Sequence, residues 1–493
     1  MTDVRGLAKQ DDIILCASPS LGASCKNSGI SQRCLDHLPP CYRLLPNFPF
    51  LADRPAMSTP RITSINSITT ENRREIMQQS LAIARESESV YTAIYADSAL
   101  AAASHADVMR VTGQTLSPIA GLPVSVKDLF DVKGEITLAG SVALRDAAPA
   151  KADATVVARL RAAGAALIGK TNMTEFAYSG VGINPHFGTP GNPADPSRIP
   201  GGSSSGAVIS VAIGSCVAAI GSDTGGSVRI PAALCGLVGF KPTMRRVPTS
   251  GALPLAPSLD SVGPIARTVS DCLLIDSLIA DQTLTTHLLD LAGLRLAIPE
   301  DIVLDDLDDA VAKAFTAALS KLSAAGVHIT EIPLPMLTEA KDLYLISPYE
   351  AYPWHKELLS KRATEYDPRV VKRIMLGAEA SQADRERLQQ TRAQWQTRVE
   401  QAIAGYDALV MPTVPIVAPK IDTLNASETN FFEANRQLLR NPSIINLLDG
   451  CAVSLPIHRP GDLPVGLMLA CTAMSDAHLL SIALAVESYL GTQ

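Results

Sequence analysis

Residues 201–239 read GGSSSGAVISVAIGSCVAAIGSDTGGSVRIPAALCGLVG, a stretch rich in glycine, serine and small apolar residues. Two Gly-Gly-Ser clusters, at 201–203 and 225–227, flank an apolar run at 207–220. Glycine lets backbone N–H groups approach a ligand closely because no Cβ intervenes. A small hydroxyl beside such amides is what an acyl-transfer site needs, namely a nucleophile next to oxyanion donors. The simpler alternative is a pair of Ser/Gly turns around a core helix.

The composition of the whole chain is that of a globular protein with a large core. Hydrophobic residues make up 47% of the 493 residues and charged residues 18%, which argues against global disorder. The net charge of −7 offers no basic surface for nucleic acid or anionic lipid. The richest apolar run, 207–220, is shorter than the roughly 18 to 20 residues of a membrane span. We therefore expect a soluble protein that binds neither nucleic acid nor membrane.

The nine cysteines are unevenly distributed. Four lie in the first sixty residues, and the rest are scattered in apolar surroundings at Cys216, Cys235, Cys272, Cys451 and Cys471. The odd total and the lack of a C-x-x-C pair favour buried free thiols in a reducing cytoplasm over disulfides or a zinc site. We predict a cytoplasmic protein, and no ligand cluster in the sequence implies a metal or an organic cofactor.

The first 56 residues differ in character from the rest. Residues 1–56 have no sustained period of 3.6 or 2 and lack the basic-then-apolar pattern of a secretory signal. Met57 then opens a segment that looks like an ordinary N-terminus. We interpret 1–56 as a poorly ordered extension or a start assigned too early, which leaves 57–493 as the main domain. An organelle-targeting segment is less favoured because 1–56 contains acidic residues.

The segment GLPVSVKDLF at 121–130 alternates like a strand. Val124 and Val126 fall on one face, with Ser125 and Lys127 on the other. A lysine that ends an apolar strand is usually solvated or paired, and a role as a base needs a neutral, buried amine. Asp128 is expected to point the opposite way, so it need not keep Lys127 charged.

The segment GAALIGKT at 164–171 fits the P-loop pattern G-x-x-x-x-G-K-[ST] letter for letter. A P-loop follows a strand and opens a helix. Here a helix is predicted at 154–163, Gly164 lies where a C-terminal cap belongs, and 165–168 has the pattern of a short buried strand. The order of elements is wrong, so we do not expect nucleotide binding.

The segment GSSSG at 202–206 fits the nucleophile elbow G-x-S-x-G of serine esterases with the α/β-hydrolase fold. That elbow needs a strand directly before it. The preceding residues 191–200 contain three prolines and cannot form a central strand. A partner histidine is also required, and nothing singles out His328, His458 or His478 for that role. The esterase therefore stays a minor alternative.

Three motifs together resemble the Ser-Ser-Lys triad of the amidase signature family. They are PVSVKD around Lys127, PGGSSSG around Ser203 and GSDTGGSVR around Ser227, and the step of 24 residues between the serines matches the family. Further matches are GKTNMTEFA at 169–177, CGLVGFKPT at 235–243, SLDSVGP at 258–264, YDALVMPTVP at 406–415 and LPVGL at 463–467. The resemblance runs from about residue 65 to the C-terminus and leaves 1–56 without a counterpart.

The resemblance assigns a role to each member of the triad. It implies that Ser227 is the nucleophile, that Ser203, on a cis peptide, is the proton shuttle, and that Lys127 is the base. A lysine at its ordinary pKa of about 10.4 is protonated at neutral pH, but burial can lower that pKa by several units. The oxyanion would be held by the backbone N–H groups of Thr224, Gly225, Gly226 and Ser227.

The surrounding sequence places these groups at a helix start. We predict a strand at 216–220, a loop at 221–226 and a helix from Ser227, where free N–H groups favour negative charge. Asp223 and Arg229 are predicted to brace the loop as an ion pair, with a plain surface salt bridge as the alternative. Ser204 is predicted to support the same site.

The resulting prediction is one large α/β domain with a mixed central β-sheet covered by helices on both sides. Its signature core spans about 120–265, and a helical insert spans about 336–403. The predicted function is hydrolysis of a linear carboxamide, a small molecule, to a carboxylate and ammonia or an amine through an acyl-enzyme. The substrate itself stays open, with a weak preference for a small aliphatic amide or one whose carboxylate an arginine holds.

Two alternatives lie close to this prediction. One is the A subunit of a glutamyl-tRNA amidotransferase, a glutaminase that usually carries A-R-Y-D-G-x-R-Y-G downstream of the triad. This chain instead has PYEAYPWHKE at 348–357, which favours a free-standing enzyme. The other is a non-catalytic binding relative, which the intact Lys127, Ser203 and Ser227 argue against. The oligomeric state is left open, with a homodimer as one candidate.

Overall fold

A computed structural model of the protein describes residues 64, 65, 68 and 72–491. The extension predicted at 1–56 lies outside the described residues. The described strands are β1 (Tyr91–Ile94), β2 (Pro123–Lys127), β3 (Ala166–Thr171), β4 (Ala218–Asp223), β5 (Val238–Lys241), β6 (Ser261–Ala266), β7 (Arg295–Pro299), β8 (His328–Ile332), β9 (Ala408–Pro412), β10 (Cys451–Pro456) and β11 (Gly466–Cys471). They form one 11-stranded sheet in the order β1-β3-β2-β4-β6-β5-β10-β11-β9-β7-β8.

The helices connect these strands and cover them. They are α1 (Arg73–Glu86), α2 (Ala96–Val111), α3 (Thr155–Ala162), α4 (Ser205–Ala212), α5 (Arg229–Cys235), α6 (Val269–Ala280), α7 (Asp309–Ala324), α8 (Ala340–Leu343), α9 (Ile346–Arg362), α10 (Pro368–Met375), α11 (Gln382–Ile403), α12 (Ile421–Asn425), α13 (Glu428–Leu447) and α14 (Asp476–Gly491). Helices α8 to α11 occupy most of the region predicted as an insert. Among the described helices, none combines the length and apolar character that a membrane crossing needs.

The sheet is mixed, as the sequence predicted. Strand β2 pairs in parallel with both β3 and β4, whereas β4 pairs antiparallel with β6. Parallel neighbours end at the same edge of a sheet. The carboxyl ends of β2 and β4, at Lys127 and Asp223, therefore lie at one edge, and this edge carries the candidate site.

Helices pack on both faces of the sheet because successive strand residues point to opposite sides. Val126 and Ile220 belong to one core cluster, which also contains Cys272 of α6. Ala219 belongs to a second cluster with Val208 of α4. The central strands are apolar on both faces, which is typical of a sheet that helices cover on both sides. The prediction of a large α/β domain with helices on both sides is confirmed.

The P-loop-like segment forms a strand instead of a phosphate-binding loop. Helix α3 ends at Ala162, Gly164 has a φ of 81° as a cap residue would, and β3 continues through Lys170. The Nζ of Lys170 lies 2.6 Å from Asp128 Oδ1 and 3.1 Å from Ile136 O. Lys170 therefore neutralises Asp128, which leaves Lys127 without that carboxylate.

The elbow-like segment at 202–206 also lacks the structure its motif requires. Within 191–200 the backbone makes isolated bridges, at Asn192 and Arg198, and no strand. Ser204 lies at the position just before α4 and begins that helix. The segment is therefore a loop leading into a buried helix.

The prediction was wrong about the bounds of two elements beside Ser227. Strand β4 runs from 218 to 223 where 216–220 was expected, and α5 begins at Arg229 where Ser227 was expected. The strand is longer because its antiparallel ladder with β6 continues to the pair Asp223 and Ser261. The helix begins later because the Asp223 carboxylate accepts the N–H groups of Gly226 and Val228, which holds the intervening residues in a turn.

The cysteines of the described chain are free and buried, as predicted. These are Cys216, Cys235, Cys272, Cys451 and Cys471. Burial raises the pKa of the Cys216 thiol above its ordinary value, which keeps it protonated and unreactive. The four cysteines nearer the N-terminus lie outside the described residues.

A buried charge network ties the sheet to two helices. Arg246 donates to Asp276 Oδ2 of α6 at 2.9 Å and to Asp476 Oδ1 of α14 at 3.3 Å. Asp476 also accepts from the backbone N–H and the hydroxyl of Thr243. Burial raises the pKa of Asp276 to about 6, although Arg246 acts in the opposite direction. One guanidinium thus neutralises two carboxylates that have little access to water.

Replacing Arg246 should destabilise the protein strongly. Arg246→Met leaves two buried carboxylates without their cation, so we expect the free energy of unfolding to fall by about 3 kcal/mol. The matched control is Arg245→Met, because Arg245 is its neighbour and makes an exposed ion pair with Asp449. The control should lose about 0–1 kcal/mol. Urea denaturation measures both, and equal losses would contradict the assignment.

Candidate active site

The side chain of Lys127 ends β2 and is completely buried. Its Nζ lies 2.7 Å from Ser203 Oγ and 2.8 Å from Ser222 Oγ. Burial lowers the pKa of Lys127 to about 7, against the opposing influence of the Asp223 and Asp260 carboxylates. Loss of water around an ammonium favours the neutral amine, so a large fraction of this lysine can act as a base at neutral pH.

Ser203 lies in a buried loop between β3 and α4. The Gly202–Ser203 peptide bond is cis, as the resemblance implied. The carbonyl of Ser203 accepts from Thr174 N at 3.0 Å. The next residue, Ser204, donates its N–H to Ser227 O at 3.3 Å, and this bond joins the two serine loops.

Ser227 lies in the turn between β4 and α5 and is almost fully buried, with 4% of its surface exposed. The backbone N–H groups of Thr224, Gly225 and Ser227 donate to no acceptor in the described chain. The N–H of Gly226 differs, because it donates to Asp223 Oδ1 at 2.8 Å. Gly226 has a φ of 123°, and a Cβ there would lie 2.6 Å from Pro442 Cβ, so only glycine fits.

Asp223 is the centre of the hydrogen bonds around this turn. Its carboxylate lies 2.9 Å from Arg229 Nη2, with both side chains fully buried, so the predicted brace is confirmed and the surface alternative is wrong. Asn446 Nδ2 donates to Asp223 Oδ1 at 2.9 Å, and Asn446 Oδ1 accepts from Arg229 at 2.6 Å. Burial alone would raise the pKa of Asp223, but Arg229 and these donors hold it well below its usual range.

Three residues of the site were missed by the sequence analysis. Ser222 accepts from Lys127, Asp260 accepts from the Thr224 hydroxyl at 2.5 Å, and Asn446 bonds Asp223. A strand prediction extended by three residues would have placed Ser222 beside Lys127. Asn446 lies 223 residues from Asp223 in sequence, and no local pattern indicates that contact.

The structure brings the predicted residues together in two groups. Lys127 contacts Ser203 directly, and the Ser204 backbone links that loop to Ser227. In the described part of the chain, no hydrogen bond joins the hydroxyls of Ser203 and Ser227. The lysine and one serine are thus in place for proton transfer, while the second serine faces a cavity.

A cavity of about 470 Å³ opens beside Ser227 and Gly225. Its wall is mainly apolar, with Leu255, Leu259, Leu337, Leu439 and Leu447 among its residues. The volume lies in the usual range for small-molecule sites. A second cavity of about 60 Å³ lies near Ser222, Thr224 and Asp260. Thr224 therefore borders both the large cavity and the small one.

The geometry of the site fits an enzyme that hydrolyses C–N bonds. Comparison with known proteins indicates the same class of protein, the amidases. The model of the Amidase family matches residues 75–480, and the chain belongs to that family.

Two similar relatives and one solved structure illustrate the match. The chain is 36% identical to 2-amino-5-chloromuconic acid deaminase of Comamonas testosteroni, across 80% of this chain and 87% of that protein. It is also 36% identical to the A subunit of the glutamyl-tRNA(Gln) amidotransferase of Roseiflexus sp. (strain RS-1), with the same coverage of 80% and 87%. A crystal structure of an amidase superimposes with a TM-score of 0.79 and 31% identity over 87% of this chain and 98% of its own.

Loss of the Ser222 hydroxyl should impair the site without unfolding it. Ser222 Oγ accepts an N–H of Lys127 at 2.8 Å, and this bond helps to hold the amine beside Ser203. Ser222→Ala should therefore lower kcat/KM for amide hydrolysis by about 10- to 100-fold. The control is Ser125→Ala. Ser125 is a buried serine of the same strand as Lys127, but its hydroxyl forms a hydrogen bond with Ser210. Equal losses in steady-state assays would contradict the role of Ser222.

Proposed function

We propose that the protein hydrolyses the C–N bond of a linear carboxamide, other than a peptide bond, through an acyl-enzyme on Ser227. The observation that carries the proposal is the contact of 2.7 Å between Ser203 Oγ and the buried Nζ of Lys127. Burial lowers the pKa of that amine to about 7, which suits a base at neutral pH.

The first chemical step is attack by Ser227. Neutral Lys127 takes the proton of Ser203 Oγ, and Ser203 takes the proton of Ser227 as its oxygen attacks the amide carbonyl. Catalytic hydrogen bonds often tighten only once substrate is bound, and this step requires the Ser227 hydroxyl to turn toward Ser203. The covalent intermediate divides one difficult hydrolysis into two easier steps.

The oxyanion is held by backbone donors. The N–H groups of Thr224, Gly225 and Ser227 have no acceptor in the described chain, so a developing oxyanion satisfies them. The Gly226 N–H, which the sequence analysis included, already donates to Asp223. We therefore assign three donors, with Gly226 fixing the turn that aims them.

The second half of the reaction reverses the proton path. The C–N bond breaks as Ser203 returns a proton to the leaving nitrogen, which departs as ammonia or an amine. Water then attacks the acyl ester while Lys127 and Ser203 accept its proton. The ester bond to Ser227 Oγ then breaks, that oxygen regains a proton from Lys127 through Ser203, and the acid product ionises to a carboxylate. No step needs a cofactor, because the two serines and the lysine supply the nucleophile and carry the protons.

A glutaminase component of a larger enzyme is the second candidate, because the Roseiflexus amidotransferase protein is as similar as the deaminase. The two relatives carry different names, so family membership transfers the reaction type and leaves the substrate open. Ammonia release by the purified chain alone supports the free-standing enzyme. Release only in the presence of a partner protein supports the glutaminase. The cytoplasmic location and a homodimer stay predictions.

Removal of the triad should abolish turnover. Ser227→Ala deletes the nucleophile, and Lys127→Met keeps a long side chain in the buried site while removing the base. Each should lower kcat for ammonia release from a panel of small amides by roughly 10⁴-fold or more. Ser125→Ala and Lys372→Met are the controls, because Ser125 bonds Ser210 and Lys372 is a solvent-exposed partner of Glu428. Residual activity in the triad variants equal to wild type would refute the mechanism.

The pH dependence should report the titration of Lys127. Its pKa of about 7 means that the amine is protonated, and inactive as a base, at lower pH. We expect kcat/KM to fall about tenfold per pH unit below that value and to reach a plateau above it. A profile measured from about pH 5 to 9 tests this, since kcat/KM reports the free enzyme. A flat profile, or one that falls as the pH rises, would contradict it.

A further inference from the structure

The large cavity beside Ser227 is lined by positive charge. Four of its lining residues are cationic, namely Lys341, Arg373, Arg436 and Arg440, and no described residue of the lining is Asp or Glu. The chain as a whole has a net charge of −7, so a cluster of positive charges in this cavity is opposite in sign to the net charge of the protein. The remaining wall is largely apolar, which strengthens the fields of Arg373 and Arg440, whereas Lys341 and Arg436 are exposed to solvent.

Most of these cations have no carboxylate partner within the described chain. Arg436 pairs with Glu433, but no ion pair among the described residues includes Lys341, Arg373 or Arg440. Burial lowers the pKa of the Arg373 and Arg440 guanidinium groups, the direction expected for cations that lose water without full compensation. Asp305 and Asp306 act on Arg440 from outside the cavity lining.

The two arginines are held in place by neutral groups. Arg373 Nη1 donates to Tyr178 O at 2.5 Å, and its guanidinium lies 4.4 Å from the centre of the Tyr178 ring. Arg440 donates from Nε to Asn441 Oδ1 at 3.1 Å and from Nη2 to Asp305 O at 2.5 Å. These contacts orient both guanidinium groups before a ligand binds. A fixed guanidinium binds a carboxylate well because its N–H groups match the geometry of two oxygens.

We propose that the substrate amide carries a carboxylate away from the scissile bond, and that Arg373 and Arg440 bind this carboxylate while the amide lies at Ser227. The inference rests on the proposed amidase function and names its substrate class. Arg373 lies on α10 and Arg440 on α13, so the two arginines reach the cavity from two different helices. Neutral amides fill the apolar cavity but leave its cations unpaired.

Binding can be tested without turnover in the Ser227→Ala variant. The probes are the monoamides of succinic, glutaric and adipic acids, each compared with the neutral alkyl amide of the same carbon number. Titration calorimetry should give tighter binding of at least one acidic amide by about 10-fold or more, the scale of charge-assisted hydrogen bonds. This preference should shrink as salt is added, because screening weakens the attraction.

Variants of Arg373 and Arg440 test whether these two residues cause the preference for acidic amides. Arg373→Met and Arg440→Met, each built on Ser227→Ala, should reduce the ratio of acidic to neutral binding by about 10- to 100-fold. Arg373→Lys should keep part of that ratio because it retains the charge without the forked geometry. The matched control is Lys372→Met, which removes one positive charge from the residue next to Arg373, where the side chain pairs with Glu428 outside the cavity. The control should change the ratio by less than about 2-fold.

The outcomes separate this inference from the proposed function. Equal affinity for acidic and neutral amides, or no binding of any acidic amide, overturns the carboxylate site. A loss in Lys372→Met as large as that in Arg373→Met also overturns it, since the effect would then follow overall charge. Ammonia release by the wild-type protein from any amide of the panel decides the amidase function separately. Binding of acidic amides without turnover would support the site and count against the proposed chemistry.

Discussion

The buried ion pair between Asp223 and Arg229 is the interaction on which the rest of the site depends. It fixes the turn that carries Ser227, joins that turn to α13 through Asn446, and places a negative charge near Lys127. That charge favours the ammonium form, so the site contains two opposing effects. Desolvation is the larger, and the amine of Lys127 still reaches a pKa of about 7. Arg229 pairs with Asp223, and its positive charge opposes the field of that carboxylate.

The geometry of the sheet explains why these groups meet. Two parallel strands, β2 and β4, end side by side, and the side chains at their ends point into the space that the serine loops enclose. Lys127, the proposed base, comes from one strand, and Ser222, which accepts a hydrogen bond from it, comes from the other. Buried strands are well suited to this task because their backbone is fixed by hydrogen bonds on both sides.

Sequence reasoning recovered those parts of the molecule whose signals are local. A helix, then Gly164, then a strand is the wrong order of elements for a P-loop, so that motif was excluded. The alternating strand pattern that ends at Lys127 predicted where this lysine lies and to which face of the strand it points. The fold and the triad needed the family resemblance as well. The end of β4 was misplaced because its last residues are set by pairing with β6, about forty residues further along. The contacts of Asn446 and the cationic residues of the cavity come from α8, α10 and α13, and no sequence pattern near Lys127, Ser203 or Ser227 indicates them.

Helix α13 takes part in two tasks, and this has a consequence for how the protein can diverge. Asn446 and the Pro442 carbonyl bind Arg229, while Leu439 and Arg440 face the cavity. Residues that line the cavity and residues that hold the turn of Ser227 thus lie on one helix, and Asn446 does both. An exchange of Leu439 or Arg440 alone would change the wall of the cavity and leave the contacts of Arg229 with Pro442 and Asn446 in place. Changes that rotate or shift the whole helix would instead alter specificity and reactivity together.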